Sequence, residues 1–196
     1  MSEIESLLSQ LSERESHFVL NPAIGKQQID FLKSEIGQDI PPQLLEMLSC
    51  FDGEKLSFSG MIGGEKLLSS QEIIDSFTTH IHIYGDNEDD DGFMSQCPYI
   101  LHGVRWRTGW IPIAAGEEEA VYLDTCPREL GVYGQIIMID IPGDLCGVIA
   151  TDIVDLLRRS LACPVDEVLV EWPYINPRTG TEVEKTSYFE PKRPLR

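Results

Sequence analysis

The sequence predicts a single α+β domain in which helices precede an antiparallel sheet and a last helix packs back on it. Three observations predict it. The 196 residues are 42% hydrophobic and 24% charged, an ordinary globular balance that fits one core. Apolar residues recur at helical spacing from Ile4 to Phe77 and again after Thr151. Between these stretches lie four short apolar runs: Trp110 to Ala114, Ala120 to Asp124, Gln135 to Ile141 and Cys146 to Ile149. Turn residues separate them, Pro142-Gly143-Asp144 joining the last two, which is the pattern of an antiparallel meander.

Taken in order, Ile4, Leu7, Leu8 and Leu11 stand at i, i+3, i+4 and i+7, the stripe of a short amphipathic helix that must pack on the core or on a partner. Asn21-Pro22 reads as a helix start, with Ile29, Leu32 and Ile36 on the buried face and Gly37 as the stop. Pro41-Pro42 opens a further helix with Leu44, Leu45, Leu48 and Phe51 on one side and Asp52-Gly53 as its left-handed end. Residues 56–68 mix apolar side chains with Gly60, Gly63 and Gly64, predicting two short strands about a glycine turn. Ser69 and Glu72 have capping-box spacing, so a helix begins there with Ile73, Ile74 and Phe77 facing inward. Asp152 and Asp155 in the first turn and Arg158 and Arg159 near the end suit the dipole of the last helix, buried by Ile153, Leu156, Leu157 and Leu161. After Pro164 come one further strand, Val168 to Trp172, and a tail rich in proline, glycine and charge that predicts loose order. The organisation expected is an N-terminal amphipathic helix over 1–20, a main domain over 21–163 with an acidic insertion at about 85–98, and a C-terminal extension over 164–196, partly irregular.

Charge narrows the function. Lys and Arg number 15 against 33 Asp and Glu, a net of −18 that repels nucleic acid and anionic lipid. The block 110–157 holds nine acidic side chains and only Arg128 as a cation, a net of −8 that would steer a cationic partner to it. Simple solubility explains such acidity equally well. No run of 18 apolar residues exists, and acids stand where a signal peptide would carry basic residues, so a cytoplasmic protein is expected. Cys50, Cys97, Cys126, Cys146 and Cys163 are odd in number, widely spaced and free of a CxxC, and read as reduced core thiols.

Catalytic and metal chemistry find little support. The run Asp86, Asn87, Glu88, Asp89, Asp90, Asp91 resembles a calcium loop, but with Gly92 sixth the twelfth position is Pro98 where a glutamate is needed. It reads as an exposed acidic loop that, together with the acidic face of the 110–157 block, is expected to bind the cationic partner. His80 and His82 would share one face of a strand and, with Cys97 or His102, contain the ligand types of a zinc site, though nothing in the spacing fixes one. GxSxG, HExxH and a phosphate-binding glycine loop are absent; in GMIGGEK the glycines are one residue too close and Glu65 replaces the lysine. No cofactor is expected. Trp106, Trp110 and Tyr122 beside Glu117, Glu118, Glu119 and Asp124 suit the Lys or Arg side chains of a bound protein. Trp110 reads as core, whereas Trp106, between Arg105 and Arg107, reads as exposed.

Six segments then fall in a familiar order: PPQLLEMLSCFDG, GGEKLLSSQEII, GWIPIA, VYLDTCP, GVYGQIIMID and VIATDIVDLL. From about Ile24 to Ala162 the chain resembles the SUKH superfamily, which includes bacterial immunity proteins and yeast regulators of cell-wall assembly and glucan synthesis. The resemblance implies an α+β fold with a central, mostly antiparallel sheet flanked by helices, and binding without catalysis. By position, Trp110, Ile111 and Pro112 match the family's Trp-Ile-Pro core, Asp124 and Pro127 its Asp-x-x-Pro turn, and Gly134 and Gln135 its Gly-Gln strand start. Two departures stand out: Gly116-Glu117-Glu118-Glu119-Ala120 replaces the usual Asp-Gly before the Tyr-Leu-Asp strand, and Thr151-Asp152 replaces a Ser-Phe pair at the last helix. The function expected is an immunity protein that neutralises a toxin domain with a cationic surface, a nuclease being one example. The alternative is a scaffold or regulator of cell-wall synthesis or signalling, with the first helix and the tail as docking elements; a metal-dependent enzyme comes third. The oligomeric state is left open.

Overall fold

The computed structural model describes residues 1–14, 18–37, 39–55, 60–85, 97–100, 106–116, 119–140, 145–163 and 172–183. In chain order these form α1 (Glu3–Arg14), β1 (Leu20–Pro22), α2 (Lys26–Ile36), α3 (Pro42–Cys50), β2 (Phe51–Glu54), β3 (Lys66–Leu67) and α4 (Ser70–Tyr84). The meander β4 (Trp110–Ala115), β5 (Glu119–Asp124), β6 (Gln135–Asp140) and β7 (Leu145–Ala150) follows, and then α5 (Ile153–Ala162). The class is α+β as predicted, with a five-stranded antiparallel sheet in the order β3-β4-β5-β6-β7 and a β1-β2 pair beside it.

The four predicted strands of the meander are present, with ends shifted by a residue or so. β5 and β6 pair in continuous register from Glu119 opposite Asp140 to Asp124 opposite Gln135. Pro112 has no N–H to give a ladder, and it is accommodated because β3 reaches only Ala114 and Ala115 of β4 among the described residues. The capping box forms: Ser69 Oγ accepts from Glu72 N–H, and Glu72 accepts from Ser69 N–H at 2.9 Å. Asp152 caps α5 by accepting from Asp155 N–H at 2.8 Å.

Four local expectations are corrected, each by a distant partner. Asn21 does not start a helix: its side-chain amide donates to the carbonyls of Asp52 (2.9 Å) and Glu54 (3.2 Å), fixing β1 on β2, and α2 starts after Gly25. Phe51, Asp52 and Gly53 do not end α3 but form β2. There Asp52 accepts from Ser70 N–H at 2.6 Å, and Gly53, at φ 68°, lies so close to the 68–69 backbone that a Cβ would meet it at 2.5 Å. α4 continues through His80 and His82, so these histidines lie two apart on a helix and diverge. Finally, the C-terminal stretch 172–183 is ordered core. Ile175 N–H donates to Val148 O on β7 at 2.8 Å, Ile175 pairs with Glu182, and Trp172, Tyr174 and Ile175 are buried. The segments 56–59, 141–144 and 164–171, and with them the predicted strand from Val168, lie outside the described residues.

The N-terminal stripe packs inward. Ile4, Leu7, Leu8 and Leu11 are buried in the same hydrophobic cluster as the sheet, with α1 against α5 and α3. Burial of such side chains contributes roughly 1.5–3 kcal/mol each before chain entropy is counted. Arg14 donates to the carbonyl of Ser160 and to that of Cys163 at the end of α5, satisfying groups a helix terminus leaves open.

Candidate partner interface

The residues matched to the family motifs converge at one end of β5. Asp124, fully buried, accepts from Cys126 N–H (2.9 Å) and from the Gln135 amide (2.8 Å). Gln135, also fully buried, donates in addition to Tyr99 O (3.0 Å) and accepts from Val132 N–H (3.0 Å). Gly134, at φ 83°, donates its N–H to Asp124 O at 2.8 Å, and the Pro127 ring packs against Gly131 so closely that a Cβ there would meet it at 2.6 Å. One buried knot thus ties the connection 125–134 to the sheet and to Tyr99. Burial pushes the Asp124 carboxyl up to about 6, while its hydrogen bonds hold it back. Asp124 is therefore a structural residue and not part of an acidic surface, contrary to the expectation.

That knot presents side chains the sequence did not flag. Leu130 is 51% exposed and Tyr133 53%, beside exposed Arg128 and Glu129. Tyr133 Oη donates to Asp39 O at 3.2 Å, and Arg178 donates to Glu129 O (2.7 Å) and Leu130 O (3.1 Å), so the loop is held from both sides. Of these exposed side chains, Tyr133 and Arg128 are of the residue types enriched in binding hot spots, whereas leucine is not. The only signal for this patch in the sequence is two large apolar residues in a turn-rich connection with no strand or helix period.

Trp106 is buried, not exposed as predicted from its arginine neighbours. Its ring stands edge-on to Phe77 (5.3 Å between centroids) and stacks with His80 (5.6 Å), which in turn neighbours Tyr84 and Tyr122. Trp110 is core as expected, 6.3 Å from Tyr122. Aromatic packing between α4 and the sheet explains both, and the continuation of α4 through Tyr84 is what creates the site for Trp106. Burial lowers the pKa of His80, so it stays neutral near pH 7.

At the other end of β5 stands Glu119, half-buried, with Gly116 N–H donating to its carbonyl at 3.0 Å. Behind Gly116 lies Glu65, buried, its carboxyl pushed up to about 7 by burial first and by the charge of Glu119 second. The remaining expected acids, Asp86, Glu88, Asp89, Asp90, Asp91, Glu117 and Glu118, lie outside the described residues.

Four of the five cysteines are poor nucleophiles. Burial raises the thiol pKa of Cys50, of Cys97 and Cys126 (each to about 11) and of Cys146, so none of these is a thiolate at neutral pH. Among the described residues no three His, Cys, Asp or Glu side chains gather as metal ligands, and His102 lies outside them. No helix among them is long and apolar enough to cross a membrane.

The knot at Asp124 and Gln135, the Trp-Ile-Pro strand and the five-stranded sheet all lie within the residues that one family model matches. The model of the SMI1 / KNR4 family (SUKH-1) covers residues 23–159. The chain belongs to the SMI1 / KNR4 family. The match leaves out α1 and the segment 172–183, both of which pack into the same core. A comparison with curated proteins found no match.

Proposed function

We propose that this SMI1 / KNR4 family member is a non-catalytic protein-binding module, an immunity protein that neutralises a toxin domain through that toxin's cationic surface. The observation that carries the reading is charge on a binding fold. Residues 110–157, the C-terminal part of the family match, hold nine acids and one cation, and the whole chain stands at −18. A potential of that sign and size speeds the encounter with a basic protein and disfavours nucleic acid.

The regulator reading leaned on α1 and the C-terminal stretch as docking elements. With the stripe of α1 and Trp172, Tyr174 and Ile175 all buried, the described residues of neither element offer a free apolar face for that purpose. Immunity is therefore the better-supported reading.

The test is co-expression and pull-down with the product of the neighbouring gene, together with a protection assay. A stable complex and rescue of growth are expected. Reversing Glu117, Glu118 and Glu119 to lysine should weaken binding by about tenfold or more in low salt, and by less at higher ionic strength as screening grows. A folded neighbouring toxin that kills cells regardless of this protein sinks the reading.

A further inference from the structure

The turn from Gly60 to Leu67 involves two buried carboxylates and treats them differently. Glu54 Oε2 accepts from the backbone N–H of Met61 (3.1 Å) and of Leu67 (2.7 Å), which closes the turn. Glu65 is only 5% exposed, and its Oε2 is enclosed with no hydrogen-bond donor among the described residues. A buried carboxylate left so is expensive, and such a group calls for an explanation.

Geometry supplies one. The Glu65 carboxyl fills the space where a side chain at position 116 would stand: a Cβ built on Gly116 would come within 2.0 Å of Oε2. Gly116 is itself exposed, so the carboxyl lies one residue below the surface, screened by the residue type that screens least. Across the strand Glu119 adds a second negative charge. The charged groups nearby on other elements are committed elsewhere: Lys66 on β3 pairs with Glu72 of α4, and Glu54 of β2 closes the turn. Among the described residues, none brings Glu65 a cation.

We propose that the Glu65 carboxyl behind Gly116, with Glu119 adding negative charge beside it, forms an acidic notch that receives a lysine or arginine side chain of the bound protein, so that the partner supplies a cation to Glu65. The inference rests on the cationic-partner reading above and locates its anchor. The free protein tolerates the empty notch because Glu65 titrates near neutrality and holds a proton about half the time. An inserted cation favours the ionised form, so binding expels that proton and tightens as the pH rises through 7.

The probe is a hexa-arginine peptide titrated at low salt into the full chain carrying ¹³C-labelled glutamate, with the Glu65 carboxyl followed by NMR. Saturation with peptide should lower the Glu65 midpoint by about one pH unit, equivalent to roughly fivefold tighter binding at pH 8 than at pH 6. Glu65→Gln should keep residual, salt-sensitive binding but lose most of that pH dependence, which separates Glu65 from the histidines. Peptide binding that leaves the Glu65 midpoint unmoved overturns the notch while leaving the cationic-partner reading standing. Absence of any binding at low salt removes both.

Discussion

The two ends of β5, roughly 17 Å apart at the usual strand rise of about 3.3 Å per residue, each bury a carboxylate, and they bury it to opposite purpose. At the Asp124 end both oxygens are engaged, by Cys126 N–H and by the Gln135 amide, and the result is a knot that positions a loop. At the other end Glu65 Oε2 has no donor among the described residues, a second acid stands nearby, and glycine covers the site. Burial raises both pKa values, yet only one carboxylate is built into the fold. Burial and a shifted pKa therefore do not by themselves mark a functional acid. What distinguishes the two is whether the structure meets the hydrogen-bonding capacity of the group it buries.

The largest expected effect comes from loosening one end alone. The Trp172 ring lies against Gly63 in the turn that carries Glu65, where a Cβ would meet the ring at 2.5 Å. Trp172→Ala should cost about 3–5 kcal/mol by chemical denaturation. It should also bring the Glu65 midpoint down by admitting water, while Asp124 keeps its titration. Equal changes at both ends would erase the distinction.

Next in size is removal of the satisfied acid. Asp124→Ala strands the Cys126 N–H and the Gln135 amide, and should destabilise by about 2–4 kcal/mol, with faster hydrogen exchange through the 125–134 loop. Glu65→Gln should do the reverse. The folded carboxyl titrates near 7 and the unfolded one near 4.5, so the native state binds the extra proton between those values and loses stability as the pH rises across that window. Glutamine lacks this loss. The variant should match the wild type at pH 4 and exceed it by about 1–3 kcal/mol at pH 8, read from unfolding midpoints at the two pH values. A flat difference across pH would mean that Glu65 is already paired.

The smallest effect belongs to the neighbour. Glu119→Gln removes the secondary cause of the Glu65 shift and should lower its midpoint by a fraction of a pH unit, visible only by NMR, because burial is the larger cause. A shift larger than that would make the like-charge pair, and not burial, the defining feature of the notch.

Much of the fold was legible where the signal is local. Short apolar runs separated by turn residues gave the four strands of the meander, and Ser69 with Glu72 gave the start of α4, because pattern and cap act within a few residues. Side chains that act at a distance misled. Asn21 has cap chemistry but serves carbonyls more than thirty residues away. Trp106 has charged neighbours in sequence and aromatic ones in space. At the site, Glu119 and the glutamates before it stood out as a run, whereas Glu65 did not, since a lone acid in a glycine-rich turn looks solvated until β3 and β4 pair and set it behind Gly116.

By itself, then, the sequence determined the α+β class, the meander, the family motifs and the net charge of −18, all of which follow from residue type and short-range spacing. Only tertiary structure decided which acids are exposed, which are knotted and which are left without a donor. Those distinctions depend on groups brought together from separate elements, and desolvation is a property of the place a side chain reaches and not of the residue.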